Sequence, residues 1–96
     1  MSLDPFDAQA HTGLGRIALR RQDGALAERE FKAALAASPA DKAAAHCDLG
    51  EAYLLRKRPQ DAKREALAAL EIAPMFERAQ ELLLKVIRAP SEGGSR

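Results

Sequence analysis

The chain has 96 residues, enough for one small domain with a modest hydrophobic core. Its 15 basic and 14 acidic side chains nearly balance, so no net charge attracts the whole molecule to nucleic acid or anionic lipid. A membrane-spanning helix is excluded because no stretch of about 18 apolar residues occurs, and the N-terminus lacks the features of a signal peptide. The single cysteine, Cys47, has no partner for an internal disulfide, and we expect a cytoplasmic location by default.

Capping residues and prolines divide the chain into five predicted helices. Aspartates suited to cap a helix precede the first three, and Pro59 is suited to start the fourth. The predicted helices run from near Phe6 to the turn at Gln22–Gly24, from Asp23 to Ser38, from Asp41 to the turn at Arg56–Pro59, from Pro59 to the residue before Pro74, and from Met75 to about Arg88. No segment alternates as a strand would, so we predict an all-α fold. We expect residues 6–89 to form one domain, with a short lead at 1–5 and a flexible tail at 90–96.

A repeat with a period of 35 residues runs through the first four predicted helices. Its members recur at equal offsets: Leu14, Gly15, Ala27, Ala34 and Pro39 in the first copy, and Leu49, Gly50, Ala62, Ala69 and Pro74 in the second. The pattern resembles the tetratricopeptide repeat, a helix-turn-helix unit of about 34 residues. Each copy has an aromatic residue at only one of the two aromatic positions of that family. The first copy has Phe31 and, at the other position, Ala18, whereas the second copy has Tyr53 and Ala66.

The resemblance implies a short right-handed α-α superhelix of about five helices. Unit one then covers residues 8–41, unit two covers 43–76, and a capping helix covers 75–88. Gly15 and Gly50 let the first helix of each unit approach the second closely. Larger side chains are expected to fill the layers: Leu14, Phe31, Leu35, Leu49, Tyr53 and Leu70.

The fifth predicted helix is apolar over roughly 200° of its circumference, which is wider than the ~100° stripe of a surface helix. One face should cap unit two. The remaining edge, Leu82 or Leu84, points to homodimerisation through this helix or to a missing neighbouring segment. The alternative is an ordinary terminal helix that is slightly apolar.

Similarity to the tetratricopeptide repeat also implies a groove, lined by the first helix of each unit, that binds an extended or helical peptide. Carried onto this sequence, the groove positions are Gln9, Thr12, Arg16, Leu19 and Arg20 in unit one, and Ala44, Cys47, Asp48, Glu51 and Leu54 in unit two. Members that clamp a carboxylate use lysine and asparagine at places that are Thr12, Arg16 and Asp48 here, so that clamp is absent. We expect a partner with acidic residues facing Arg16 and Arg20 and basic or polar residues facing Asp48 and Glu51. The alternative is that these charges are solvated or pair with one another across the units.

The predicted function is a non-enzymatic module that binds a partner protein or peptide. Two alternatives stay open: an accessory module of a larger bacterial enzyme such as a hydrolase or peptidase, and a self-association unit. Reading the open reading frame around this segment would separate the first alternative from the prediction.

Other groups of reactive residues do not predict a catalytic or metal site. His11 and His46 occupy matching positions and Cys47 follows the second, but a zinc site needs three or four converging ligands, and no base accompanies the thiol. We expect both histidines to fill space between helices. The basic turn Arg56-Lys57-Arg58 lacks aromatic stacking partners and is explained by the favourable position of cations near a helix C-terminus. We therefore expect no cofactor, no metal and no nucleic acid ligand.

Overall fold

The structure is a computed structural model that describes residues 5–37 and 39–88, with side chains from Asp7 onward. These residues form five α-helices: α1 Pro5–Arg20, α2 Gly24–Ala36, α3 Lys42–Leu55, α4 Pro59–Ile72 and α5 Glu77–Arg88. The predicted all-α fold is confirmed, and the predicted helix ends differ from the observed ones by at most two residues. The predicted lead other than Pro5, the predicted stop at Ser38 and the predicted tail lie outside the described residues.

The helix starts follow from capping groups that the sequence supplies. Asp23 and Asp41 each accept a hydrogen bond from the backbone three residues on, from Leu26 N at 3.1 Å and from Ala44 N at 3.0 Å. These bonds satisfy N–H groups that the first turn of a helix leaves without a partner. α4 has no such side-chain cap and begins with Pro59, whose missing N–H costs nothing at that place.

The first helices of the two units end in the same left-handed turn. Gln22 has φ 62° and Lys57, 35 residues later, has φ 63°. The residue after each donates a backbone hydrogen bond to the carbonyl five positions earlier, at 2.8 and 2.9 Å. This is the geometry of a Schellman turn, in which glycine is the usual residue because it has no Cβ to strain. The turn sends the second helix of each unit back along the first.

The helices form two layers. Each helix packs on the next along the chain, and α1, α3 and α5 also contact one another in that order. The first helices of both units and α5 therefore make one layer, and α2 and α4 make the other.

Each unit is joined internally by the same pair of polar residues. His11 Nδ1 lies 2.8 Å from Glu30 Oε1, and His46 Nδ1 lies 2.7 Å from Glu65 Oε1. All four residues obey the 35-residue period. The histidines thus lie between the helices of their units, where we expected them, but they do more than fill space because each one hydrogen-bonds across the helix pair.

The two repeat glycines are covered by different side chains. A Cβ built on Gly15 would lie 2.5 Å from Phe31 Cε1, so the buried Phe31 ring rests on this glycine. In unit two that ring is replaced by Ala66, and a Cβ on Gly50 would lie 2.5 Å from Leu82 Cδ2 of α5. Leu82 is 1% exposed. It fills in unit two the space that Phe31 fills in unit one.

Most other repeat positions are buried. Those at 8% exposure or less are Ala27, Phe31, Ala34, Leu49, Tyr53, Ala62 and Ala69. Pro39 and Pro74 follow the ends of α2 and α4.

Leu14 differs from its counterpart Leu49. Leu14 is 50% exposed, whereas Leu49 is 4% exposed and packs in one cluster with Ala27 and Phe31 of unit one. The corresponding face of α1 has no helix against it in the part of the chain that the structure describes. The prediction that Leu14 fills a layer is therefore wrong, and Ile17 on the same helix is also 47% exposed.

α5 does not continue the 35-residue period. The period would give Leu84 the buried position of Leu49, yet Leu84 is 50% exposed. The buried residues of α5 are instead Ala79, Leu82 and Val86. Leu82 and Leu84 were the two candidates for an edge of this helix without a partner. The prediction is wrong for Leu82, which is buried, whereas Leu84 is exposed. α5 covers unit two in a register of its own.

Candidate partner-binding groove

Within residues 5–37 and 39–88, the surface made by α1, α3 and α5, which we call the groove, carries two depressions. The first has a volume of about 490 Å³ and lies between the N-terminal parts of α1 and α3. Its lining includes Gln9, Thr12, Arg16, Pro39, Ala44 and Asp48. The second is shallower, about 350 Å³, and is lined by Leu19, Gln22, Glu51, Leu54, Leu55 and Lys85.

An ionic network separates the two depressions. Arg78 Nη2 donates a hydrogen bond to Asp48 Oδ1 at 2.6 Å and lies 3.3 Å from Glu51 Oε2. Arg16 Nη2 approaches the other oxygen of Asp48, at 3.6 Å. Asp48 is only 3% exposed, and a carboxylate buried to that degree needs such a partner. Side chains of α1, α3 and α5 are thereby joined across the groove.

The ionic network neutralises the acidic side chains in the middle of the groove. Burial lowers the pKa of Arg78, but its hydrogen bond and attraction to Asp48 and its attraction to Glu51 outweigh burial, so the net shift of the pKa is upward. Arg78 stays charged and neutralises both acidic side chains. The acidic side chains of the predicted groove are therefore paired with Arg78 of α5, a residue of the chain itself. The expected alternative was pairing of the groove charges with one another across the units, and of these only Arg16 and Asp48 approach, at 3.6 Å.

Most predicted groove residues do lie on this surface. Those lining the first depression are Gln9, Thr12, Arg16, Ala44 and Asp48. Those lining the second are Leu19, Glu51 and Leu54. Arg20 is exposed near the end of α1 and lines neither depression.

Cys47 does not face the groove. It is 0% exposed and packs in a cluster with Ala79 and Leu82 of α5 and with Ala66 of α4. Burial raises the pKa of its thiol to about 11, with Arg78 opposing the shift. The prediction that Cys47 contacts a partner is wrong, because α5 packs on that side of α3.

Most of the chain matches one known protein family. The family model of the tetratricopeptide repeat matches it twice, over residues 2–42 and 13–74. The chain belongs to the tetratricopeptide repeat (TPR) family. No curated protein and no solved structure matches it. TPR units typically serve as non-catalytic modules for protein-protein interaction, so membership supports that general function and leaves the partner open.

α5 contributes to the TPR groove in a way that was not predicted from the sequence. Arg78 and Lys85 both take part, one in the ionic network and one in the lining of the second depression. The available signal was the pair Asp48 and Glu51, three residues apart on one helix, because two adjacent carboxylates call for a cation between them. The chain has many arginines, however, and only the packing of α5 selects Arg78.

A second ionic cluster joins the two TPR units where the turn after α3 meets α2. Glu28 is 7% exposed and accepts a hydrogen bond from Arg56 Nη1 at 2.8 Å, while Lys32 Nζ lies 2.8 Å from its other oxygen. Arg58 lies 3.7 Å from Glu28 and 2.8 Å from Asp61. Burial raises the pKa of Glu28, but the hydrogen bonds from Lys32 and Arg56 outweigh it and leave the pKa lowered. Two of the three cations in the basic turn are thus engaged inside the domain.

Metal and membrane sites have no support among the described residues. There, no group of three or more His, Cys, Asp or Glu side chains is arranged to hold a metal ion. Likewise, no helix in residues 5–37 and 39–88 is both long enough and apolar enough to cross a bilayer.

Proposed function

We propose that the groove of this TPR domain binds an extended segment of a partner protein, and that the segment carries acidic residues. The observation behind the proposal is that the acidic side chains of the groove are paired within the domain, whereas the arginine beside them is largely exposed. Asp48 and Glu51 are held by Arg78, whereas the Arg16 side chain is 55% exposed and lies 3.6 Å from its nearest carboxylate oxygen, beyond hydrogen-bond distance. Arg16 is therefore free to turn toward a ligand carboxylate, for which a charge-assisted hydrogen bond is stronger.

The first depression supports an apolar anchor beside that carboxylate. Small side chains make up much of its wall: Ala8, Ala40, Ala44 and Ala45. In an extended segment, side chains two positions apart lie on the same face, roughly 7 Å from each other. One apolar side chain can thus enter the depression while an acidic side chain two positions along reaches Arg16. Arg20 and Lys85, both exposed, extend the positive charge beyond this point.

The proposal is tested by selecting peptides from a displayed library of random sequences against the wild-type domain. The selected peptides are then measured against Arg16→Gln and against the control Arg64→Gln, which removes a similarly exposed arginine from α4. We expect acidic peptides to be enriched, to bind Arg16→Gln about tenfold more weakly than wild type, and to bind the control unchanged. Glutamine is preferred to glutamate because a negative charge at position 16 would repel the buried Asp48.

Two results would overturn the proposal. One is a set of selected peptides without acidic residues, and the other is equal affinity for wild type and Arg16→Gln. Circular dichroism spectra of the variants must match that of the wild type for either result to count. Of the alternatives raised by the sequence, self-association has an observation in its favour, since both ends of the helix array expose leucine and isoleucine.

A further inference from the structure

The exposed apolar residues of α1 and α5 lie at the two ends of the layer α1–α3–α5. On α1, Leu14 and Ile17 are 50% and 47% exposed, and on α5, Leu84 and Ile87 are 50% and 68% exposed. α1 and α5 are the first and last helices of this layer, because α3 contacts both of them. The two surfaces therefore face away from each other and cannot meet within one chain.

The internal repeat shows that the α1 surface has the form of a helix-packing face. Its counterpart in unit two contains Leu49, which is buried against unit one. Ala10 and Ile17 lie one turn before and one turn after Leu14 on the same face of α1, and both are exposed. A surface of this kind accepts the ridge of another helix at close distance.

The pattern of charges favours α5 of a second copy as that helix. Read from N to C at a spacing of three, α1 has Leu14, Ile17 and Arg20, and α5 has Glu81, Leu84 and Ile87. An antiparallel arrangement sets Leu14 opposite Ile87, Ile17 opposite Leu84, and Arg20 opposite Glu81. Apolar contact and opposite charge are then satisfied in one register.

Other pairings of the same surfaces are less favourable. A parallel arrangement would bring Arg20 and Arg21 toward Lys85 and Arg88, which are like charges. Two α5 surfaces that overlap at their apolar residues would bring the basic ends of both helices together. Two α1 surfaces in apolar register would set Arg20 opposite His11 and gain no carboxylate there. The α1–α5 contact alone combines both kinds of complementarity.

We propose that the domain associates head to tail with a second copy of itself, with α1 of one copy packed antiparallel on α5 of the next. The contact is heterologous, since each copy contributes a different surface. It adds copies until a ring closes or the concentration limits growth. None of the four apolar residues lines either depression, so substitutions at these residues test self-association without altering the depressions of the groove.

The deciding experiment uses two variants that each block one surface. Leu14→Glu with Ile17→Glu blocks the α1 surface, and Leu84→Glu with Ile87→Glu blocks the α5 surface. All four side chains are at least 47% exposed, so both variants should keep the helical spectrum of the wild type. We expect sedimentation to show a wild-type mass that rises with concentration, and to show each variant alone as a monomer. An equimolar mixture should give a 1:1 complex that grows no further, because it contains one intact surface of each kind.

A charge exchange tests the register. Arg20→Glu and Glu81→Arg should each weaken association, and the two changes in one chain should restore it. Three results overturn the proposal: a wild type that is monomeric at every concentration, a blocked variant that still dimerises by itself, or a mixture that stays monomeric. A single charge variant that associates as strongly as wild type would overturn the register.

Discussion

Alanine substitution at three glycines of the array should give three different effects on stability. Gly13→Ala, Gly15→Ala and Gly50→Ala each add one methyl group to the first helix of a unit. The added Cβ meets nothing within 4 Å at Gly13, the Cδ2 methyl of Leu82 at 2.5 Å at Gly50, and three ring carbons of Phe31 at 2.5 to 2.8 Å at Gly15. The same chemical change is thus made in open space, against a flexible side-chain end, and against a rigid ring.

The magnitudes follow from two opposing terms. Alanine in place of glycine stabilises a helix by about 0.5–1 kcal/mol, and Gly13→Ala should gain this in full. At Gly15 the ring of Phe31, itself 1% exposed, must move within a packed core, which costs about 1–3 kcal/mol. The net loss there should be about 0.5–2 kcal/mol. At Gly50 the Leu82 methyl can turn aside, so the net change should lie between no effect and a loss of about 1 kcal/mol.

Urea unfolding followed by far-UV circular dichroism, at a concentration low enough to limit association, measures all three variants. The expected order of stability is Gly13→Ala, then wild type and Gly50→Ala, then Gly15→Ala. Gly50→Leu, whose branched side chain would collide with Leu82 and with the backbone of α4, should unfold the domain. A Gly15→Ala variant as stable as Gly13→Ala would show that the Phe31 ring does not rest on this glycine.

Two further substitutions test the turn after α3 and the ionic cluster beside it. Lys57→Gly should raise the free energy of unfolding by about 1 kcal/mol, because φ is 63° at this position and glycine adopts that conformation without strain. The control Lys63→Gly, within α4, should lower the free energy of unfolding by about 1 kcal/mol. A lower free energy of unfolding for Lys57→Gly would contradict the left-handed turn. Glu28 has a pKa below the ordinary value of 4.5, so its carboxylate stabilises the fold above about pH 5 and this contribution is lost as the pH falls through the lowered pKa. Glu28→Gln should therefore be less stable than wild type at pH 7 and lose less stability on acidification in urea titrations, with exposed Glu71→Gln as control; equal pH profiles for Glu28→Gln and wild type would contradict the cluster.

The helix boundaries could be predicted from local signals in the sequence. Asp23, Asp41 and Pro59 act within one turn of their own position, so no knowledge of distant packing was needed to place them. The 35-residue period added the pairing of helices within each unit, because two copies of one sequence pattern form the same helix hairpin. The place of Gly15 where α1 meets α2 is an example that both signals together predict, whereas the contact with the Phe31 ring was found only in the structure.

The predictions that were wrong all concern contacts with a distant helix. Leu14 and Leu49 have equal places in the repeat, and their exposures of 50% and 4% differ only because unit one covers Leu49. Cys47 and Asp48 were placed in an open groove, yet α5 buries one and binds the other through Arg78, 30 residues away. Such outcomes depend on which face a distant helix presents, and the period gives no answer for α5 because α5 does not follow it.

We infer that the register of α5 depends on one departure from the family pattern, the alanine at position 66, which shares a core cluster with Leu82. If Leu82 occupies the space that an aromatic ring fills in unit one, a ring at position 66 and a leucine at position 82 exclude each other. Ala66→Phe alone should cost about 1–3 kcal/mol through overpacking, and Leu82→Ala alone about 2–5 kcal/mol through the cavity that it leaves. In the double variant the ring can enter the cavity, so the combined loss should be smaller than the sum by at least about 1 kcal/mol. Val86→Ala, on the same helix but in the other core cluster, is the control and should add to Ala66→Phe without coupling. Additive losses at positions 66 and 82 would show instead that the two sites are independent.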